Sequence, residues 1–65
     1  MGGNLTPQLK RILIQAGCTF QRQGKGDHEI WYSHSTERRF VVDNKILSRH
    51  TANSVLKQAG LPKQF

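Results

Sequence analysis

Apolar positions recur along this chain with two different periods, and the change of period divides it into helices and strands. Leu9, Ile12, Leu13 and Ala16 fall at i, i+3, i+4 and i+7, and Ala52, Val55, Leu56 and Ala59 repeat that spacing. Such spacing puts four side chains on one face of an α-helix. Thr6 as N-cap and Pro7 at the first helical position open the first helix, and Gly17 closes it. Thr51 is the N-cap expected for the second, Gly60 stops it, and Pro62 prevents its continuation. The endings are nearly alike: Ile12-Leu13-Ile14-Gln15-Ala16-Gly17 and Val55-Leu56-Lys57-Gln58-Ala59-Gly60. Two copies do not make a solenoid; they read as two amphipathic helices covering one sheet. Ile14 stands off its stripe where the second helix has Lys57. A single exposed apolar side chain is ordinary, and a partner surface is the alternative.

Between the helices the period shortens to two. Residues 18–23 form the first expected strand, with Cys18 and Phe20 on one face and Thr19 on the other. Residues 28–34 form the second and carry Ile30, Trp31 and Tyr32, all strand-favouring. Residues 38–42 form the third, with Phe40 and Val42 on one face and Arg39 and Val41 on the other. Residues 24–27 and 35–37 are turns, Asp43-Asn44 ends the third strand, and residues 45–50 connect to the second helix. Connections this short favour an antiparallel meander. The expected fold is α+β, in the order α-β-β-β-α: a three-stranded antiparallel sheet with both helices on one face and the other face open to a ligand. Three consecutive apolar residues in the second strand blur its alternation. Either Trp31 faces the core and Tyr32 the open side, or the reverse.

Sixty-five residues make a single domain, 1–65, with residues 1–5 expected to be a flexible N-terminal segment. A chain this short buries only about 60% of its unfolded surface, which excludes a Rossmann unit or a deep pocket. Any active site is a surface patch. Apolar residues make up 35% of the chain, enough for a small core. Ten Lys and Arg against four Asp and Glu give a formal charge of +6, with a pI near 10.3. That balance suits nucleic acid, anionic lipid or an acidic protein, nucleic acid foremost. Cys18 is alone, so no intrachain disulfide forms, which fits a reducing cytoplasm. No apolar run reaches a membrane span and no signal peptide is visible. Met1-Gly2-Gly3-Asn4-Leu5-Thr6 matches a myristoylation pattern and Asn4-Leu5-Thr6 a glycosylation pattern; both are short enough to arise by chance.

The stretch Gly24-Lys25-Gly26-Asp27-His28 holds the candidate chemistry. It is a glycine-punctuated basic turn delivering a histidine to the start of a strand. RNA contains its own nucleophile, the 2′-OH. A base that removes its proton permits attack on the adjacent phosphorus without a metal, an acid protonates the leaving 5′-oxygen, and a cation steadies the phosphorane. Imidazole, which ordinarily titrates at about pH 6.5, serves as base or acid. Lys25 would contact phosphate, and Asp27 would orient the imidazole. The plain alternative makes His28 an exposed strand residue and Asp27 a turn former. Tyr32 on the open face would stack on an unpaired base. Arg49 beside the second helix's N-terminus would anchor a phosphate, although capping by Thr51 explains the same stretch. His50 is a possible second acid, and His34 has no specific role. His28, His34 and His50 lack metal-ligand spacing and a lone Cys gives no zinc pair, so no metal and no cofactor are expected. The turn is also too short for a Walker loop.

These features together resemble the HicA family of bacterial type II toxin–antitoxin systems, over roughly residues 5–62. The matching residues are the helix ending in Ala16-Gly17, the Gly26-Asp27-His28 turn, the meander, and Ser54-Val55-Leu56-Lys57-Gln58-Ala59-Gly60-Leu61. The resemblance implies a double-stranded-RNA-binding-domain-like fold, ribonuclease activity on messenger RNA and neutralisation by a HicB antitoxin. The family's catalytic histidine follows a Gly-Ser or Gly-Asp turn, which carries over to His28. The expected RNA surface comprises Lys25, Gly26, Asp27, Tyr32, Arg39 and Arg49. Trp31 is then a core aromatic. Two departures stand out. Glu29 occupies a position where many relatives have histidine or a basic residue, and residues 42–50 lack the Pro-His-Pro-like stretch often found there. The expected function is a metal-independent endoribonuclease toxin acting by histidine acid–base catalysis. The rivals are a non-catalytic RNA-binding module of the same fold, which has no need of His28, and a domain whose basic face meets an acidic protein.

Overall fold

The computed structural model describes residues 3–65; Met1 and Gly2, with the start of the myristoylation-like pattern, lie outside the described residues. The elements follow in the order α1 (Thr6–Gln15), β1 (Thr19–Gln23), β2 (His28–Ser33), β3 (Arg38–Asp43) and α2 (Arg49–Gln58). The strands form one antiparallel sheet in the order β1-β2-β3. This is the α-β-β-β-α architecture expected from the two periods.

Both helices bury their stripes against the same side of the sheet. Leu9 and Leu13 of α1 and Ala52, Val55 and Leu56 of α2 share one core with Trp31, Phe40 and Val42. The connector between β3 and α2 adds Ile46, only 2% exposed. Trp31 is a core residue and Tyr32 lies on the other face, which settles the ambiguity of the second strand. Ser33, also facing inward, donates its hydroxyl proton to the Ala59 carbonyl at 2.8 Å and ties β2 to the end of α2. Burial pushes the Cys18 thiol up, partly offset by a hydrogen bond with Ser33.

The helix starts differ from expectation. Leu5, not Thr6, is the N-cap of α1, and its side chain makes no cap bond. Thr6 lies within the helix, and its buried hydroxyl is engaged elsewhere. It donates to the Asp43 carbonyl at 2.9 Å and accepts the Ile46 N–H at 3.0 Å. The Leu5 N–H adds a 2.7 Å bond to the Ile46 carbonyl, and Asn4 Oδ1 accepts from the N–H groups of Thr6 and Ile46. Residues 4–6 are thus stitched to the connector after β3. α2 begins at Arg49 with Ser48 as its cap, three residues before the expected Thr51. Ser48 has the extended backbone a cap requires, and its Oγ accepts from His50 and Thr51 N–H groups at 3.1 and 3.4 Å. The apolar stripe begins only at Ala52 because the first turn of α2 faces solvent.

The twin Ala-Gly endings are a matched pair of Schellman motifs. In α1, Gly17 N–H donates to Ile14 and Cys18 N–H to Leu13; in α2, Gly60 N–H donates to Lys57 and Leu61 N–H to Leu56. Both glycines have the required positive φ, 92° and 81°. Their surroundings differ. A Cβ at Gly17 would meet nothing within 4 Å, whereas one at Gly60 would lie 2.6 Å from Thr36 Cγ2. Gly17→Ala should therefore cost about 1 kcal/mol, the penalty of the left-handed conformation alone. Gly60→Ala should cost about 2–4 kcal/mol, because a stiff β-branched neighbour must also move. Urea denaturation of both variants, with Gly60→Ala repeated in a Thr36→Ser background, checks this. Equal costs at Gly17 and Gly60, or no relief from Thr36→Ser, would contradict it.

Candidate nucleic-acid interface

The turn that presents His28 is held by its own backbone. The His28 N–H donates to the Lys25 carbonyl at 3.0 Å, and its carbonyl accepts from Gly24 N–H at 2.8 Å. Asn44 N–H reaches the Asp27 carbonyl at 2.9 Å. The Gln23 side-chain amide adds bonds to the carbonyls of Gly26 and His28 at 3.1 and 3.0 Å. Gly26 takes φ 58°, and the space where a Cβ would stand is open to 4 Å. The result is an exposed imidazole on a fixed stem, beside an exposed Lys25 and an unobstructed glycine backbone.

Alternation along β2 sends Glu29, Trp31 and Ser33 toward the helices and His28, Ile30 and Tyr32 to the open face. Across from them on β3 stand Asp43, Val41 and Arg39 respectively. The Asn44-to-Asp27 bond identifies His28 and Asp43 as a non-hydrogen-bonded pair, the arrangement in which facing side chains approach most closely, with Cα atoms about 4.5 Å apart. Asp43 is therefore the cross-strand neighbour of His28 in register, while its Oδ1 accepts from the Lys45 N–H at 3.3 Å and no ion pair joins it to the imidazole. Asp27, the residue expected to orient His28, is exposed and shares no side-chain hydrogen bond with it.

At the other end of the face, Arg39 lies opposite Tyr32, and its Nε donates to Gln21 Oε1 at 3.0 Å. Tyr32 meets His34 edge to face, ring centres 4.8 Å apart. The register of β1 shifts between Phe20 and Arg22, so that Phe20 pairs with Trp31 but Arg22 with Ile30. This bulge turns Arg22 onto the open face, where simple alternation would put it with Phe20. His28, Lys25, Gly26, Tyr32 and Arg39 thus belong to one surface. Arg49 and His50 do not join it: they open α2 on the helical layer, and His50 borders a groove with Lys57. Asp43 and Arg22 went unrecognised in the sequence because register and bulge place them, and neither has a local signal. Among the described residues no three His, Cys, Asp or Glu side chains gather as a metal site needs.

The matched family model is described as the HicA toxin of bacterial toxin-antitoxin systems, and it aligns with residues 7–61. The chain belongs to the HicA toxin family. Searches of curated proteins and of solved structures gave no match. Membership makes the protein a toxin of a toxin–antitoxin system, and the match runs from the first turn of α1 through the whole sheet to the end of α2. No helix is long and apolar enough to cross a membrane among the described residues.

Glu29, one of the departures from the HicA pattern, has a structural explanation. It points to the helical side, where Lys10 Nζ lies 3.0 Å from its Oε2 and Trp31 Nε1 donates to its Oε1 at 3.0 Å. Lys10 also donates to Asn44 Oδ1 at 2.9 Å. Burial by itself would raise the Glu29 carboxyl, but the bonds from Trp31 and Lys10, with the lysine charge, outweigh it and hold it below the usual range. A carboxylate lowered by folding stabilises the protein above its unfolded pKa of about 4.3 and loses that contribution as pH falls through the folded value. Glu29→Gln should therefore destabilise by about 1 kcal/mol at neutral pH. The difference from wild type should shrink as pH falls below the unfolded value and vanish once folded Glu29 is protonated as well. Urea titrations across this range test it; a gap independent of pH would mean that shape, not charge, matters.

Proposed function

We propose that this HicA toxin is a metal-independent endoribonuclease that cuts messenger RNA in the cytoplasm, with His28 as the acid–base group and a HicB-type antitoxin as its neutralising partner. The carrying observation is the exposed imidazole at the edge of an open cationic face, with a carboxylate across the strand. His28 takes the proton of the ribose 2′-OH. The oxygen attacks the adjacent phosphorus, the bond to the 5′-oxygen breaks, and that oxygen leaves with a proton returned by the imidazolium. The products are a 2′,3′-cyclic phosphate and a 5′-hydroxyl. Asp43, its partner across the strand, is the positioning residue that orients the ring. Lys25 and the Gly26 backbone face the phosphate, with Asp27 shaping the turn between them. Arg39 and Arg22 hold the flanking backbone, and Tyr32 stacks an unpaired base.

His28→Ala should abolish cleavage and toxicity while changing stability by less than about 0.5 kcal/mol, because the side chain is exposed. RNA affinity should fall only slightly, since cations supply most of it. Folded, RNA-binding His28→Ala protein that still cuts at the wild-type rate would overturn the assignment. Wild-type cleavage should persist in EDTA, leave cyclic phosphate ends and spare DNA.

Asp43→Asn should lower kcat at least tenfold with KM nearly unchanged, and Asp43→Glu should restore part of it. A change confined to KM, or to stability, would remove Asp43 from the reaction.

A further inference from the structure

On the layer opposite His28, α2 and the residues after it enclose an open groove of about 490 Å³. Its outer wall is fixed by Asn53. The Asn53 amide donates to the Phe65 carbonyl at 3.1 Å, and its Oδ1 accepts from the N–H groups of Gln64 and Phe65 at 3.2 and 3.1 Å. Leu61 and Pro62 line the groove with apolar surface, and His50, Ser54, Lys57 and Lys63 line it with donors. All four acidic residues, Asp27, Glu29, Glu37 and Asp43, precede α2 in the chain. Among the described residues the single ion pair is Lys10–Glu29, so Lys57 and Lys63 have no carboxylate partner.

We propose that this groove binds an acidic peptide segment of a partner protein, one that intersperses carboxylates with apolar side chains. Charge complementarity selects the acid: Lys57 and Lys63 line the groove and no Asp or Glu side chain does. The apolar share selects a peptide over RNA. Leu61, Pro62 and the methylene stems of the two lysines suit apolar side chains, whereas a phosphodiester would leave them uncovered. The one aromatic ring in the lining is the His50 imidazole; no Phe, Tyr or Trp stands there to stack successive bases. Binding here leaves the His28 face free, so the proposal does not depend on the catalytic reading.

NMR titration of the isotope-labelled full chain at low salt tests it. The probe is the capped peptide Asp-Leu-Glu-Glu-Leu-Asp, with Asn-Leu-Gln-Gln-Leu-Asn as neutral control and a 2′-O-methyl uridine oligonucleotide as the RNA probe. The acidic peptide should shift the amides of Ser54, Lys57 and Lys63 saturably, and the neutral peptide should not. Lys57→Glu with Lys63→Glu should weaken the acidic peptide at least tenfold while circular dichroism stays unchanged. Shifts confined to the sheet face around Arg22 and Arg39, or no shifts at all, would overturn the proposal. So would groove resonances that move with the oligonucleotide but not with the peptide.

Discussion

The bond from Trp31 Nε1 to Glu29 Oε1 decides which way β2 faces, and most of the molecule follows from that choice. A strand has only two faces, and a one-residue slip exchanges them completely. With Trp31 inward, its indole needs an acceptor in a mostly apolar layer, and Glu29, two residues earlier on the same face, supplies it. Glu29 in turn needs a cation, and Lys10 reaches it from α1. The trio locks strand to helix, and Ser33 extends the same side to the end of α2. His28, Ile30 and Tyr32 are thereby committed to solvent. The candidate site is thus the other side of the core's own alternation, held by polar bonds that themselves face the helices.

A domain this small has little apolar area to spend on fixing loops, and backbone hydrogen bonds take over that work. The turn before His28 closes on itself and on Asn44, and Asn44 accepts from Lys10. Residues 4–6 hold the connector that follows β3, through which Asp43 is steadied from behind by the Thr6 hydroxyl on its carbonyl. The two members of the His28–Asp43 pair are therefore anchored through different elements, β2 by its turn and β3 by α1. Their juxtaposition needs the whole fold, although neither side chain is buried in its core.

Helix positions, strand number and the order of elements were legible because they rest on local periodicity. The inward Phe40 and Val42 and the two glycine stops were legible for the same reason. The helix starts were misread because Thr6 and Thr51 carry cap chemistry wherever they stand, and the outcome turned on distant partners: Asp43 and Ile46 occupy the Thr6 hydroxyl, and Ser48 captures the first turn of α2. In β2 the alternation alone left Trp31 and Tyr32 undecided and only the family resemblance put Trp31 inside, since Glu29 read alone belongs outside. Only its pairing with Lys10, nineteen residues away, makes its inward position favourable. Within the candidate site His28 and Lys25 were visible as a local motif, whereas Arg22 needed a bulge and Asp43 a register.

The charge of this chain is unevenly distributed, and that has a consequence for binding. Residues through Asp43 mix Lys and Arg with all four acids, while those beyond carry Lys45, Arg49, Lys57 and Lys63 and no acid. The open sheet face therefore carries cations with Asp43 among them in register but no ion pair, the one pair among the described residues, Lys10–Glu29, lying on the helical side. The outer side of α2 presents uncompensated positive charge, suited to attracting an acidic surface. The shortest extent of the fold is 16 Å, about twice the Debye length of roughly 8 Å at physiological ionic strength. Charges on the two layers are then largely screened from each other. An anion bound on one layer then repels an anion on the other only weakly, so the two surfaces proposed above, one for RNA and one for an acidic protein, can be occupied independently.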